Sequence, residues 1–204
     1  MKIEILEKSD LEVKFSIQGI TPAFANSLRR IMVSEVPTMA IEWVDFKKNS
    51  SALPDELVAN RLGQVPLTFD KKVYNLQKGC KCEEKGCSRC QVELVLKKKG
   101  PGMVVSGDLK SKDKDVHPVF ENIPIVELFE NEEMQFEAVA QLGVGREHVK
   151  WQAAVVGYKY DSNNNFIFNV ESVSGMKAED VVAAAVEVLE EKVGIFGKEL
   201  KSLK

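Results

Sequence analysis

The sequence predicts an α+β fold: a discontinuous domain of antiparallel sheet with two helices, formed by both chain ends and interrupted by a mostly β insert. Three observations predict it. Strands are read at both ends, from the alternation of Leu11, Val13, Phe15 and Ile17 and from Phe166 to Val173 after a strong turn. Each end also carries one helix with a long apolar row. The middle reads as short extended runs, turns and a cysteine-bearing loop. The predicted division is 1–46 with 161–204 as the end-formed domain and 47–160 as the insert, its cysteine loop at 78–90.

A chain of 204 residues fits one large domain or two small ones, and 44% hydrophobic residues supply a real core. The net charge of -3 argues against a specific nucleic-acid binder, which needs clustered Lys and Arg for phosphate. No apolar run reaches the ~18 residues of a membrane span, and no leader pattern opens the chain. A soluble, cytoplasmic protein is expected.

Taken in order, Lys2 to Leu6 pairs as a hairpin with the strand at Leu11 to Ile17. A helix follows, with Thr21 as N-cap and Pro22 in its first turn. Phe24, Leu28, Ile31 and Met32 form its apolar stripe; Asn26, Ser27, Arg30 and Ser34 lie opposite. Val33 falls among the polar residues, and Arg29 and Arg30 point about 100° apart. Both features suit a helix contacted on two faces. Pro37 ends it, and Met39 to Phe46 alternates as a strand of the end domain.

The boundary segment KKNSSALP leads to a short helix at Asp55 to Leu62, closed by Gly63, and to an extended exit through Gln64 to Leu67. QVELVLKKKGPGMVV predicts two strands around a turn at Gly100 to Gly102, with Lys97 to Lys99 at the hairpin's exposed end. Ser111 to Asp115 is a loop, and Pro118 and Pro124 punctuate extended chain. Phe136, Ala138, Ala140 and Leu142 alternate, Trp151 to Tyr160 is a strand, and Asp161 to Asn165 is a turn.

From Ala178 onward Val182, Val186, Leu189, Val193, Phe196, Leu200 and Leu203 repeat as a heptad seam, interrupted locally by Gly194 and Gly197. Such a seam suits either a helix on its own sheet or a helix shared with a partner.

The four cysteines, Cys80, Cys82, Cys87 and Cys90, are spaced C-x-C-x4-C-x2-C. Four thiolates so close in sequence can surround one tetrahedral zinc; with no open position such a site is structural. Lys78, Lys81, Lys85 and Arg89 would offset its negative charge. Two disulfides or free thiols are the alternatives; cytosolic disulfides are rare except in heat-loving organisms. The spacing fits neither common ferredoxin pattern, so no iron–sulfur cluster is expected.

Catalytic signatures are missing. His117 and His148 have no nucleophile suggested beside them, and neither phosphate-binding glycine motif occurs.

Four segments together resemble the RNA polymerase platform subunits, the family of the archaeal D-type polymerase chain, the eukaryotic third-largest subunit and the bacterial alpha N-terminal domain. They are GITPAFANSLRRIMVSEVPTMAIEWV at 19–44, LPDELVANRLGQVPL at 53–67, GREHVKW at 145–151 and FNVESVSG at 168–175. The cysteine cluster and the E-H-x-K-W run are closest in style to archaeal and eukaryotic members. The resemblance implies the same domain division and a non-catalytic scaffold of DNA-directed RNA polymerase. It implies a heterodimer with a small L-like subunit, through Phe24, Leu28, Ile31, Met32 and Val33 and the seam Val182, Val186, Leu189, Val193, Phe196 and Leu200. It places Arg29 and Arg30 toward the large subunits, with the second-largest subunit and small zinc subunits docking on the pair. Some archaeal members carry a ferredoxin-like insertion; with no cysteines beyond the four, none is expected here. An independent zinc-stabilised adaptor is the alternative.

Overall fold

The computed structural model describes residues 1–163 and 165–202. Asn164, in the expected turn, and Leu203, at the end of the seam, lie outside the described residues. In chain order the elements are β1 Lys2–Lys8, β2 Glu12–Gln18, α1 Pro22–Ser34, β3 Pro37–Asn49, α2 Asp55–Gly63 and β4 Gln91–Lys99. They continue with β5 Gly102–Val105, β6 Lys110–Ser111, β7 Pro124–Leu128, β8 Glu133–Val144, β9 Ala154–Tyr160, β10 Phe166–Ser172 and α3 Ala178–Ser202. No described helix is long and apolar enough to cross a membrane.

The chain divides into two compact units, 1–37 with 144–204 and 38–143. The edges differ from those expected at 46 and 161, because two strands change allegiance. β3 joins β8 in the second unit's sheet, and β9 joins β10 in the first. For β9 the burial explains this: Ala154 and Val156 belong to the same buried cluster as Phe166 and Phe168.

The first unit is an antiparallel sheet of order β1-β2-β10-β9 with α1 and α3. Phe168 pairs opposite Phe15, and their rings stack with centroids 5.2 Å apart. Thr21 caps α1 as expected, its hydroxyl accepting from the Phe24 amide at 3.2 Å. The buried row of α1 is Ala25, Leu28, Ile31 and Met32, so Ala25 takes the place expected of Phe24. Val33 is half-buried against the same core, not outward among polar residues as expected. The start of α3 is tied down by the Ala178 amide on the Asp10 carbonyl at 2.9 Å and by Lys177 with Asp10 at 3.0 Å.

The second unit holds a sheet of order β3-β8-β4-β6, a two-stranded sheet β5-β7, and α2. Alternate residues of β8, Met134 to Leu142, are buried, so the period-2 pattern there reports a covered face. Leu62 and Val58 of α2 bury against this core, and Arg61 donates to the Ile125 carbonyl at 2.7 Å. The expected β4–β5 hairpin does not form. β4 is paired on both sides, with β8 and β6, so β5 pairs with β7 instead. The Gly100 amide meets the Glu132 carbonyl at 2.9 Å as the chain leaves β4.

Candidate functional site

The first site is an apolar face left open in the first unit. In α3 the residues turned into the core are Ala178, Val181, Ala184 and Ala185, with Val188 half-buried. The seam Val182, Val186 and Leu189 lies one position later, hence about 100° round the helix. Val182 and Leu189 are half-buried at the margin, while Val193 is 63% and Phe196 65% exposed, and Val186 and Leu200 are exposed too. The helix covers its own sheet with three alanines and Val181, and presents Val186, Val193, Phe196 and Leu200 elsewhere.

The seam continues into a groove of about 390 Å³ lined by Phe24 and Leu28 of α1, Val182, Ala183 and Val186 of α3, and Val13, Phe15 and Ile17 of β2. Ile3 and Ile5 of β1 complete it. They sit opposite Ile17 and Phe15 across the β1–β2 ladder, so all four share one sheet face, yet both isoleucines are exposed. Sequence reasoning placed β1 correctly but missed these two residues as part of the face. Their alternation was legible; that no helix covers the edge strand was not. Four expected partner residues, Phe24, Leu28, Val182 and Val186, are brought together here. Ile31, Met32 and Val33 are occupied by the unit's own core.

Arg29 and Arg30 take different surroundings, as adjacent helical residues must. Arg29 is half-buried and donates to the Asn26 side chain at 3.4 Å, while Arg30 is exposed. The Arg30 carbonyl receives the Ser34 hydroxyl at 2.8 Å.

The second site is the cysteine loop of the second unit. A 3-10 turn at Gln77–Gly79 delivers Cys80, and Cys90 is buried immediately before β4. The four Sγ atoms lie within 4.8 Å of one another. Cys80–Cys87 is 3.5 Å, and Cys82–Cys90 and Cys87–Cys90 are each 3.7 Å. A tetrahedral thiolate site with ~2.3 Å zinc–sulfur bonds has sulfur–sulfur edges of about 3.8 Å. The Cys87 amide points at Cys90 Sγ at 3.2 Å, a bond that favours a thiolate. Gly86 adopts a positive φ of 82°, and an added Cβ would meet Gln91 Oε1 at 2.1 Å. That turn is what brings Cys87 back over Cys80.

The thiols differ in acidity. The backbone amide of Arg89 and the Cys80 thiol hold Cys87 down to about 7, while burial pushes Cys90 up to about 12. The cluster as described would release protons on taking a metal. Lys85, expected to offset the cluster's charge, pairs with Glu83 at 3.4 Å, both well exposed.

The profile of the RNA polymerase Rpb3/Rpb11 dimerisation domain matches residues 14–193. This chain belongs to that family. The match runs from within β2 to within α3 and so takes in parts of both units, the cysteine loop and the α1 and α3 residues of the groove, but not Ile3, Ile5 or Val13. Among curated relatives, DNA-directed RNA polymerase subunit Rpo3 of Methanothermobacter thermautotrophicus is 48% identical over 164 residues, covering 78% of this chain and 62% of the relative. Rpo3 of Archaeoglobus fulgidus is 46% identical over 155 residues (76% and 59%), and that of Thermococcus kodakarensis 46% over 160 residues (78% and 60%). The chain thus spans about three-fifths of the length of the relatives it matches. Membership of the Rpb3/Rpb11 family agrees with the resemblance read from the four sequence segments and with the α+β class.

Proposed function

We propose that this chain is a non-catalytic assembly subunit of a DNA-directed RNA polymerase. It pairs with a small L-like subunit to make the platform for the second-largest subunit and small zinc subunits. The observation that carries this is the uncovered apolar face: a dimerisation-domain chain that spends alanines on its own sheet and leaves Val186, Val193, Phe196 and Leu200 outside. Contiguous exposed apolar surface of this kind is characteristic of interfaces. The partner's helices would lie along the α3 seam and across the groove at Phe24, covering Ile3 and Ile5. The chemistry of transcription would belong to the large subunits; this chain contributes binding and geometry.

The cysteine loop takes one structural zinc on this reading. Its near-tetrahedral spread of sulfurs and the NH–S bond support that assignment over two disulfides, which would need sulfurs at ~2.05 Å. Cys80, Cys82, Cys87 and Cys90 would hold the ion, which when bound ties the loop before β4 together. No iron–sulfur cluster is proposed, since all four cysteines are committed to this loop.

The testing experiment is co-expression with the L-like subunit. A soluble 1:1 pair is expected, with aggregation or self-association of the chain alone. A well-behaved monomer by light scattering that shows no affinity for the small subunit would overturn the reading.

A further inference from the structure

From Glu190 to Ser202 α3 carries almost no cover: every described residue there except Gly197 is exposed. A stretch this short, weakened by Gly194 and Gly197, draws little stability from its own turns and calls for a covering surface. Its seam and flanks say what would fit. In heptad terms Val186, Val193 and Leu200 hold the a positions, and Val182, Leu189 and Phe196 the d positions. The g positions beside the exposed part of the seam are Lys192 and Glu199, opposite in charge and both exposed. The e positions are Glu190 and Gly197.

We propose that this half of α3 pairs with the same half of a second copy of the chain, antiparallel, as a two-fold symmetric coiled coil. With Val193 opposite Phe196 of the second copy and Leu189 opposite its Leu200, the g positions bring Lys192 beside Glu199 twice, once on each side of the axis. Glu190 then faces Gly197 and meets no like charge. A slip of one heptad sets Lys192 against Lys192 in one direction and Glu199 against Glu199 in the other, so the charges select one register. A parallel pair gains nothing from them, since Lys192 would face Gly197. Within its own chain Lys192 reaches Glu35 at 3.0 Å, yet its side chain stays 49% exposed, and an ammonium with three donors can serve both partners. The self-pair goes beyond the platform reading and does not depend on it, although a small subunit and a second copy would compete for the same seam. With only a few seam layers it dissociates on dilution, which leaves the stretch bare in the dilute chain.

The test is sedimentation of the full chain alone over a range of concentrations. Reversible dimerisation is expected, weakening as salt is raised. Lys192→Glu and Glu199→Lys should each weaken self-association about ten-fold, since symmetry turns two attractions into two repulsions in either variant. Mixed together, the two variants should pair with each other at wild-type strength, because each supplies the charge the other lacks. The double variant should self-pair again. Glu35→Gln frees Lys192 from its own chain and should leave self-association equal or tighter. Absence of pairing between the mixed variants would overturn the inference, as would a monomer at every concentration. Clusters of no fixed size, indifferent to both reversals, would overturn it by showing unspecific apolar contact. Loss in Glu35→Gln as large as in Glu199→Lys would overturn it by showing that Lys192 acts only within its own chain. Dimerisation with the mixed rescue intact, but no affinity for the L-like subunit, would uphold the self-pair and overturn the platform reading alone.

Discussion

At the scale of single residues, position relative to the core decides which substitution reports on what. Leu189 is a seam residue but half-buried against its own core, so Leu189→Asp should damage both fold and pairing. Phe196 is 65% exposed, so Phe196→Asp should leave the melting temperature of the chain nearly unchanged and abolish pairing. Glu190→Ala, on the exposed side, should do neither; calorimetry beside analytical gel filtration with the L-like subunit separates the three. A second residue-scale effect lies in the insert. The Tyr74 hydroxyl donates to Asp113 at 2.5 Å, which holds the Asp113 carboxyl below the usual range. A depressed carboxylate stabilises above its unfolded value of about 3.9 and loses that contribution as pH falls through the lower folded value. Tyr74→Phe should therefore cost stability at pH 7, and the difference from wild type should shrink in acid below pH ~3.9. Thermal melts across that window check the sign.

At the scale of elements, the cysteine loop and α3 are both under-supported by the chain itself, for different reasons. Between Lys78 and Arg89 the loop has backbone turns, and Gln77 donates to the Glu84 carbonyl at 2.8 Å, but Cys90 is its buried anchor. If the loop binds zinc, metal-binding energy is local folding energy. Cys87→Ser should speed amide exchange from about Gln77 to Leu96 while pairing with the L-like subunit persists, since the first unit contains no cysteine. Elemental analysis should find one metal per chain, with four thiols titratable after chelation; absence of metal with a mass lower by four hydrogens would favour disulfides. Acidification should release the ion, because its ligands must stay deprotonated. In α3, every described residue from Glu190 to Ser202 except Gly197 is exposed. Gly194 and Gly197 each lower helix propensity by up to ~1 kcal/mol. That final stretch should exchange quickly in the isolated chain and become protected on pairing.

For the molecule as a whole, the proposed platform joins two tasks on one unit. The groove and seam would take the small subunit; the end of α1, where Arg29 and Arg30 lie and the Gly145 turn packs its backbone on Val33 and Ser34, would face a large one. Gly145→Ala should test whether the two are separable. The added Cβ would press on a backbone carbonyl with no flexible atom to yield, costing on the order of 1–3 kcal/mol. Pairing through the groove should survive this, at a lower melting temperature, while recruitment of the second-largest subunit falls. Equal loss of both would mean that the turn holds the entire unit together.

Much of this was written in the chain. Period-2 runs located β2 and β8, the turn at Asp161 to Asn165 marked the approach to β10, the Thr21–Pro22 pair marked the start of α1, and the spacing of Cys80, Cys82, Cys87 and Cys90 announced a cluster, because each depends on local geometry. The family was legible from four separated segments. What the sequence could not decide was which of two adjacent rows on a helix turns inward. Val182, Val186 and Leu189 form the bulkier row of α3, yet the row turned inward is Ala178, Val181, Ala184 and Ala185, since close approach of helix and strand favours small side chains there. The same limit applied to Phe24 and Ala25, and to strands β3 and β9, whose apolar residues fit a buried face in either unit. Only tertiary packing assigns a face to a neighbour. Only there do Ile3, Ile5, Phe24 and Val186 become one groove.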